Sequence, residues 1–171
     1  MVEETELYDK GLEECPPGQA IFANVVMIIW IALGATACWF FLPLIGLIYV
    51  VFALVMVFIV LRKLVCPNCY YHGKCCHMGW GKLSSLLFKE GNIEDFPTSI
   101  GLKVAPLTYG LLTLIPLILI VISIFQEFLV STKVIILVIL LAISFYSGTV
   151  GRKKACVVCK MRLICPGAAV K

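Results

Sequence analysis

Soft metal ligands recur at one spacing in this chain. Arg62-Lys63-x-x-Cys66-x-x-Cys69 is followed by five residues and then Cys75. Arg152-Lys153-x-x-Cys156-x-x-Cys159 is followed by five residues and then Cys165. A C-x-x-C turn offers two sulfurs to one tetrahedral ion, the arrangement used by zinc and iron–thiolate knuckles. The third cysteine of each copy lies within reach of the same ion. Cys76, His72 and His77 are candidate fourth ligands in the first copy, whereas the second copy has no histidine.

Two arrangements fit this pattern. Each copy can hold its own ion, or the knuckles Cys66/Cys69 and Cys156/Cys159 can share one four-thiolate site. Separate sites are favoured, because the shared site leaves the recurring third cysteine without a role. Zinc is the expected metal, acting as a structural ion. An iron–sulfur cluster or mononuclear iron is the alternative, supported by Pro166 directly after Cys165, although C-x2-C-x5-C departs from the ferredoxin run. A third reading is heavy-metal handling, since Cys75-Cys76, Met78 and the two histidines suit a soft ion such as Cu(I). Acylation of cysteines beside the membrane would explain single sites but not a spacing kept twice. Disulfides are not expected in a reducing cytoplasm. Cys15, before Pro16-Pro17, is isolated and not expected to be a ligand. Cys38 reads as an apolar packing residue.

These motifs hang from apolar segments. Hydrophobic residues make up 61% of the chain, charged residues 14%, and mean hydropathy is +1.04, which excludes an ordinary soluble domain. Four spans are expected, each near the ~20 residues that cross ~30 Å of hydrocarbon. They run from Ala20 to Leu42, Leu47 to Leu64, Val104 to Phe125 and Val134 to Val150. Pro43 and Gly46 mark a tight turn between the first two. Pro106 and Pro116 interrupt the third, where a neighbour must satisfy the freed carbonyl.

The expected fold is therefore an all-α integral membrane protein. Its four transmembrane helices form two tandem hairpins related by a pseudo-twofold repeat, with cytoplasmic cysteine-rich motifs. The segments are an acidic tail (1–19), hairpin one (20–64), a cysteine-rich loop (65–103), hairpin two (104–150) and a cysteine-rich tail (151–171).

Charge sets the orientation. Arg62, Lys63, Arg152, Lys153, Lys154 and the other bases except Lys133 fall on one side of this layout. The positive-inside rule then puts both termini and the loop in the cytoplasm of a cell-membrane protein. Six of the ten acidic residues (Glu3, Glu4, Glu6, Asp9, Glu13, Glu14) open the chain, unlike the basic start of a signal peptide, so no cleaved leader is expected.

No Asp, Glu, Lys, Arg or His lies inside these spans beyond Arg62 and Lys63, with Glu127 at the outer edge of the third. That weighs against an ion pathway. Asn24, Thr36, Cys38, Thr108, Tyr109, Thr113 and Ser123 read as packing glue between helices. Trp80 to Lys89 is expected to form a short helix, at the headgroups or packed on the span ends. Gly79-Trp80-Gly81-Lys82 lacks phosphate-loop spacing, and no Ser-His-Asp set or paired carboxylates are present. The expected partners are the lipid bilayer and a larger membrane complex or a second copy, not nucleic acid. The expected role is structural or docking rather than enzymatic, with membrane electron transfer as the alternative.

Overall fold

The computed structural model describes residues 7–126 and 129–170. Glu3, Glu4, Glu6 and Glu127 lie outside the described residues. All regular structure among the described residues is helical, and four helices are long and apolar enough to cross a membrane. These are α1 (Pro17–Phe41), α2 (Pro43–Asn68), α4 (Ile100–Ile124) and α5 (Val130–Val157). The short α3 (Trp80–Leu87) lies between α2 and α4.

Proline placement shapes the first turn. Pro17 occupies the first turn of α1, where its missing N–H costs no bond. Leu42, forced extended by the following Pro43 (φ −154°, ψ 125°), ends α1, and α2 begins at once. The two helices then pack closely because Gly46 of α2 sits against the backbone of Ala35 and Trp39. A Cβ at Gly46 would lie 3.2 Å from both.

Helix α1 is central, packing against α2, α4 and α5, while α4 packs against α5 and the end of α2. The buried core joins Met27, Trp30, Ile31 and Cys38 of α1 to Tyr49, Ala53 and Val57 of α2, Leu112 of α4 and Leu140 of α5. Cys38 is fully buried there, as a packing residue should be. Several polar groups in and beside the bundle find partners close by. Trp30 Nε1 donates to Ser144 Oγ (3.0 Å), tying α1 to α5. Thr36 and Thr113 bond back to the carbonyls of Ala32 and Tyr109, one turn earlier in their own helices.

The key polar contact meets the demand set by Pro116. A proline lacks the N–H that would bond the carbonyl four residues earlier, here that of Leu112. The Tyr49 hydroxyl donates to this Leu112 carbonyl at 2.9 Å. Gly34 of α1 leaves the space through which the Tyr49 phenol passes.

Lys133 departs from the sequence expectation. It lies in the first turn of α5, which begins at Val130, and is 98% buried rather than exposed on a turn. Its ammonium donates to the Ser123 carbonyl (2.5 Å) in the last turn of α4, where the helix dipole favours a cation. Ser123 Oγ in turn donates to the Phe40 carbonyl near the end of α1 (3.1 Å). A cation thus ties three helix ends together opposite the cysteine motifs.

Both motif-bearing helices share a local irregularity. Val55–Val60 of α2 and Ser147–Gly151 of α5 are π-helical, and each ends just before its Arg-Lys pair. Such widened turns rotate whatever follows, which here is the cysteine knuckle.

Replacing Tyr49 by Phe should orphan the Leu112 carbonyl and cost about 1–3 kcal/mol. Pro116→Ala restores the helical bond, so Tyr49→Phe should cost far less in that background. A double-mutant cycle on thermal unfolding in detergent measures this coupling. Additive losses would refute the pairing.

Candidate metal centre

The two cysteine repeats fold alike. Cys66 O accepts the Cys69 amide (3.3 Å) and Cys69 O accepts the His72 amide (2.9 Å). In the second copy Cys156 O accepts the Cys159 amide (3.2 Å) and Cys159 O accepts the Arg162 amide (3.3 Å). Two residues past the second cysteine, each copy buries a large side chain. These are Tyr71 (5% exposed) and Met161 (2% exposed), and they meet in one small core with Phe96. Cys69, Cys76, Cys159 and Cys165 pack against that same core. The repeats therefore come together in one cap.

The chain before α1 completes it. The Tyr8 amide donates to Lys160 O (2.9 Å), Leu12 to Val158 O (2.9 Å) and Cys15 to Cys75 O (2.8 Å). The Tyr71 hydroxyl donates to Leu12 O (2.7 Å) and accepts the Lys160 amide (3.1 Å), so one phenol joins strap, loop and tail. Glu13 reinforces the strap through Tyr70 and Lys160, with Lys74 at 3.9 Å. Those hydrogen bonds, that from Lys160 above all, hold the Glu13 carboxyl below its usual range. Being exposed, the ion pairs orient the strap more than they stabilise it.

Helix α3 secures the loop from the other side. Trp80 Nε1 donates to Asn24 Oδ1 (3.0 Å), and Asn24 Nδ2 donates to Met78 O (2.7 Å). Gly81 is needed where α3 crosses the loop, because a Cβ there would collide with the carbonyls of Tyr71 and Lys74. Leu86 and Leu87 of α3 point outward. Asn24, read as helix–helix glue, serves here to dock the loop.

All nine cysteines are free thiols. Backbone amides are turned to several of the sulfurs. Tyr71 faces Cys69, Met161 faces Cys159 and Gly167 faces Cys165. Trp80 N–H donates to Cys76 Sγ (3.2 Å) and Ala169 N–H to Cys156 Sγ (3.4 Å). Amide donors of this kind stabilise anionic, metal-bound sulfur. Arg62, 5.0 Å from the Trp80 ring, and Ser84 flank Cys66. Arg62 Nε and Nη2 and Ser84 Oγ are buried without partners, and an anionic Cys66 sulfur would satisfy them.

Burial dominates thiol ionisation in the cap. It pushes Cys69 from 9.0 up to about 12 and Cys15 up to about 11, and it also raises Cys159 and Cys165. Neighbouring thiols add to the rise. For Cys69 the contributions come from Cys66, Cys159 and Cys76, and for Cys15 from Cys76, Cys75 and Cys159. Cys15, remote in sequence, is 94% buried, with its amide on Cys75 O.

Among the described residues, no three His, Cys, Asp or Glu side chains stand close enough to hold an ion without adjustment. His72 Nε2 lies 3.2 Å from Phe88 O, within the loop. His77 is held neutral by burial, which lowers its pKa, and its Nδ1 has no partner. Lys63, Arg152, Lys153 and Lys154 are exposed on the cap side of α2 and α5. Comparison of the chain with protein families, curated proteins and solved structures found no match.

Sequence spacing identified the knuckles but not Tyr71, Met161, Ser84 or the position of Cys15. The recurrence of a large residue two places after Cys69 and Cys159 was the available signal for the first pair. Nothing in the linear pattern pointed to the others.

The thiol shifts predict opposite pH responses with and without metal. A thiol held above its unfolded value adds stability that is present below pH 9 and lost as pH rises toward 12. Metal-free protein should therefore melt at progressively lower temperature above pH 9. Metal binding to thiolates releases protons, so a loaded protein should instead lose stability on acidification. Thermal unfolding from pH 5 to 11, with and without chelator, distinguishes the two slopes.

Proposed function

We propose that the cap is a soft-metal clasp, with zinc as its ion, on a four-span membrane protein. The observation that carries this reading is the meeting of two like-folded C-x-x-C knuckles on the single core of Tyr71, Phe96 and Met161. Cys69, Cys76 and Cys159 pack against this one core, which favours one shared ion over one ion per copy. The amides turned toward the sulfurs suit thiolate ligands.

The small size of the cap core gives the metal a purpose. A buried Met or Phe contributes about 1.5–3 kcal/mol, so three such side chains order a long loop, strap and tail only weakly. A structural zinc contributes about 10–16 kcal/mol of apparent binding energy, which becomes folding energy. On this reading the ion staples the ends of α1, α2 and α5.

The spans form two tandem hairpins related by a twofold repeat. In support, α1 and α4 pack together, each touching the outer helix of the other pair, and α2 and α5 carry matching π-helical segments. The basic residues around the cap support a cytoplasmic location for it and for both termini, at a cell membrane. The protein then acts as a structural or docking subunit, offering an ordered cytoplasmic face to a membrane complex or a second copy.

Metal analysis with an absorbance spectrum, on protein purified without oxygen, tests the reading. Near-stoichiometric zinc without colour is expected, lost when Cys66, Cys69, Cys156 and Cys159 are all replaced by Ser. Iron with sulfide and visible absorbance would move the protein to electron transfer. Protein that takes up no metal would overturn the proposal.

A further inference from the structure

Helix α3 is inside out for a segment in water. The positions it turns inward, Gly81 and Ser84, carry almost no apolar surface. Leu83, Leu86 and Leu87, spaced i, i+3 and i+4, share one face and stand out from the protein. Leu86 is 81% exposed and Leu87 64%. Lys82 and Ser85, also exposed, occupy a third face between the buried one and the leucines. Clustered leucines at such exposure mark a surface that meets something other than water.

The height of α3 on the bundle decides what meets them. Trp80, its first residue, donates through Nε1 to Asn24 of α1 (3.0 Å) and packs on Phe58 of α2, with ring centroids 5.0 Å apart. Asn24 lies two turns in from Pro17, about 10 Å along the axis of α1 at 1.5 Å per residue. Phe58 precedes Arg62-Lys63, inside the apolar run of α2. Ile21, Val25 and Ile28 on the outside of α1 line one shallow groove with Gly79, the residue that caps α3. The outer apolar surface of α1 thus continues onto α3.

We propose that α3 lies in the plane of the membrane, with Leu83, Leu86 and Leu87 in the acyl layer of the cap-side leaflet. The partner of this face is phospholipid. An amphipathic helix of this kind sinks its apolar side about 5–10 Å into the boundary between headgroups and chains. Lys82, whose ammonium lies 3.9 Å from Glu14, keeps its charge at the headgroups. Exposed Lys89 is followed by exposed Glu90, so apolar area, not anionic lipid, drives the insertion. Gly81 sits against the carbonyls of Tyr71 and Lys74, and the embedded helix thereby holds the cysteine-rich loop down on the bilayer. The proposal rests on the four long helices crossing a bilayer and is independent of any metal.

The test puts a benzophenone-bearing amino acid in place of Leu86 in the full chain, reconstituted in nanodiscs of zwitterionic phosphatidylcholine. Irradiation should join lipid to the protein, read as a mass gain of one phospholipid. The same probe in place of Ser85, on the polar face, should capture much less. A cross-link from position 86 to a second copy would make the face a protein interface, and capture of neither lipid nor protein would make it a wetted one. Either result overturns the proposal. A second measurement uses the chain without a bulky probe. Leu86→Asp with Leu87→Asp should speed amide hydrogen exchange across residues 80–87 in the same nanodiscs and leave the four long helices unchanged. Equal exchange in the parent and this variant would also overturn the proposal, whereas loss or gain of bound zinc bears only on the clasp.

Discussion

Within a bilayer no water is available to satisfy a backbone group, and the Tyr49 hydroxyl meets that constraint for the whole bundle. Pro116 frees the Leu112 carbonyl at the centre of α4, and the phenol of α2 reaches it past Gly34 of α1. One hydrogen bond thus fixes three helices in depth and rotation. Helix packing in lipid lacks the hydrophobic drive it has in water, so such polar contacts set register. Trp30–Ser144 does the same for α5, and Lys133 ties the far ends of α4 and α5. Everything at the cap inherits this register, because strap, loop and tail emerge directly from α1, α2, α4 and α5.

The cap works under a different rule. Its segments are polar enough to be wetted, and their shared core is only Tyr71, Phe96 and Met161. Hydrogen bonds therefore decide where they lie, and the Tyr71 hydroxyl is the busiest of these. Its phenol serves the strap and the tail while its backbone amide faces Cys69. Burial keeps the surrounding thiols protonated in the absence of an ion, and protonated thiols repel one another far less than thiolates would. A cap of this kind can be compact without metal, yet it is built from groups that change character when metal displaces their protons.

Much of this was legible in the sequence because it depends on local pattern. Apolar runs of spanning length revealed the four helices, and a repeated C-x-x-C revealed two equal turns. Pro116 announced that a donor would be needed, but not that Tyr49 would supply it. Lys133 was misplaced because a helix start was judged from hydropathy, which counts a lysine as an outsider. Its long stem is apolar and its ammonium needed only one helix-end carbonyl to be accommodated. Cys15 stands alone in sequence, with no neighbouring cysteine or histidine to mark where it folds. Contact between segments separated by a membrane helix leaves no trace in spacing, so the strap's place over the thiols emerges only in three dimensions.

That strap also gives the duplicated motif unequal surroundings. Two identical knuckles meeting about an axis would offer two sulfurs each and leave both third cysteines idle. Here the chain before α1 exists once, so it can approach only one side of the pair. It lies beside the loop's Cys75-Cys76 and the tail's Cys159, breaking the symmetry that the π-helical segments and knuckle turns still preserve. The first copy, with Cys76 and two histidines, is also the more elaborate in sequence. Asymmetry in composition and asymmetry in space point to the same side of the cap. The repeat builds the frame, while the N-terminal segment gives that frame a single orientation.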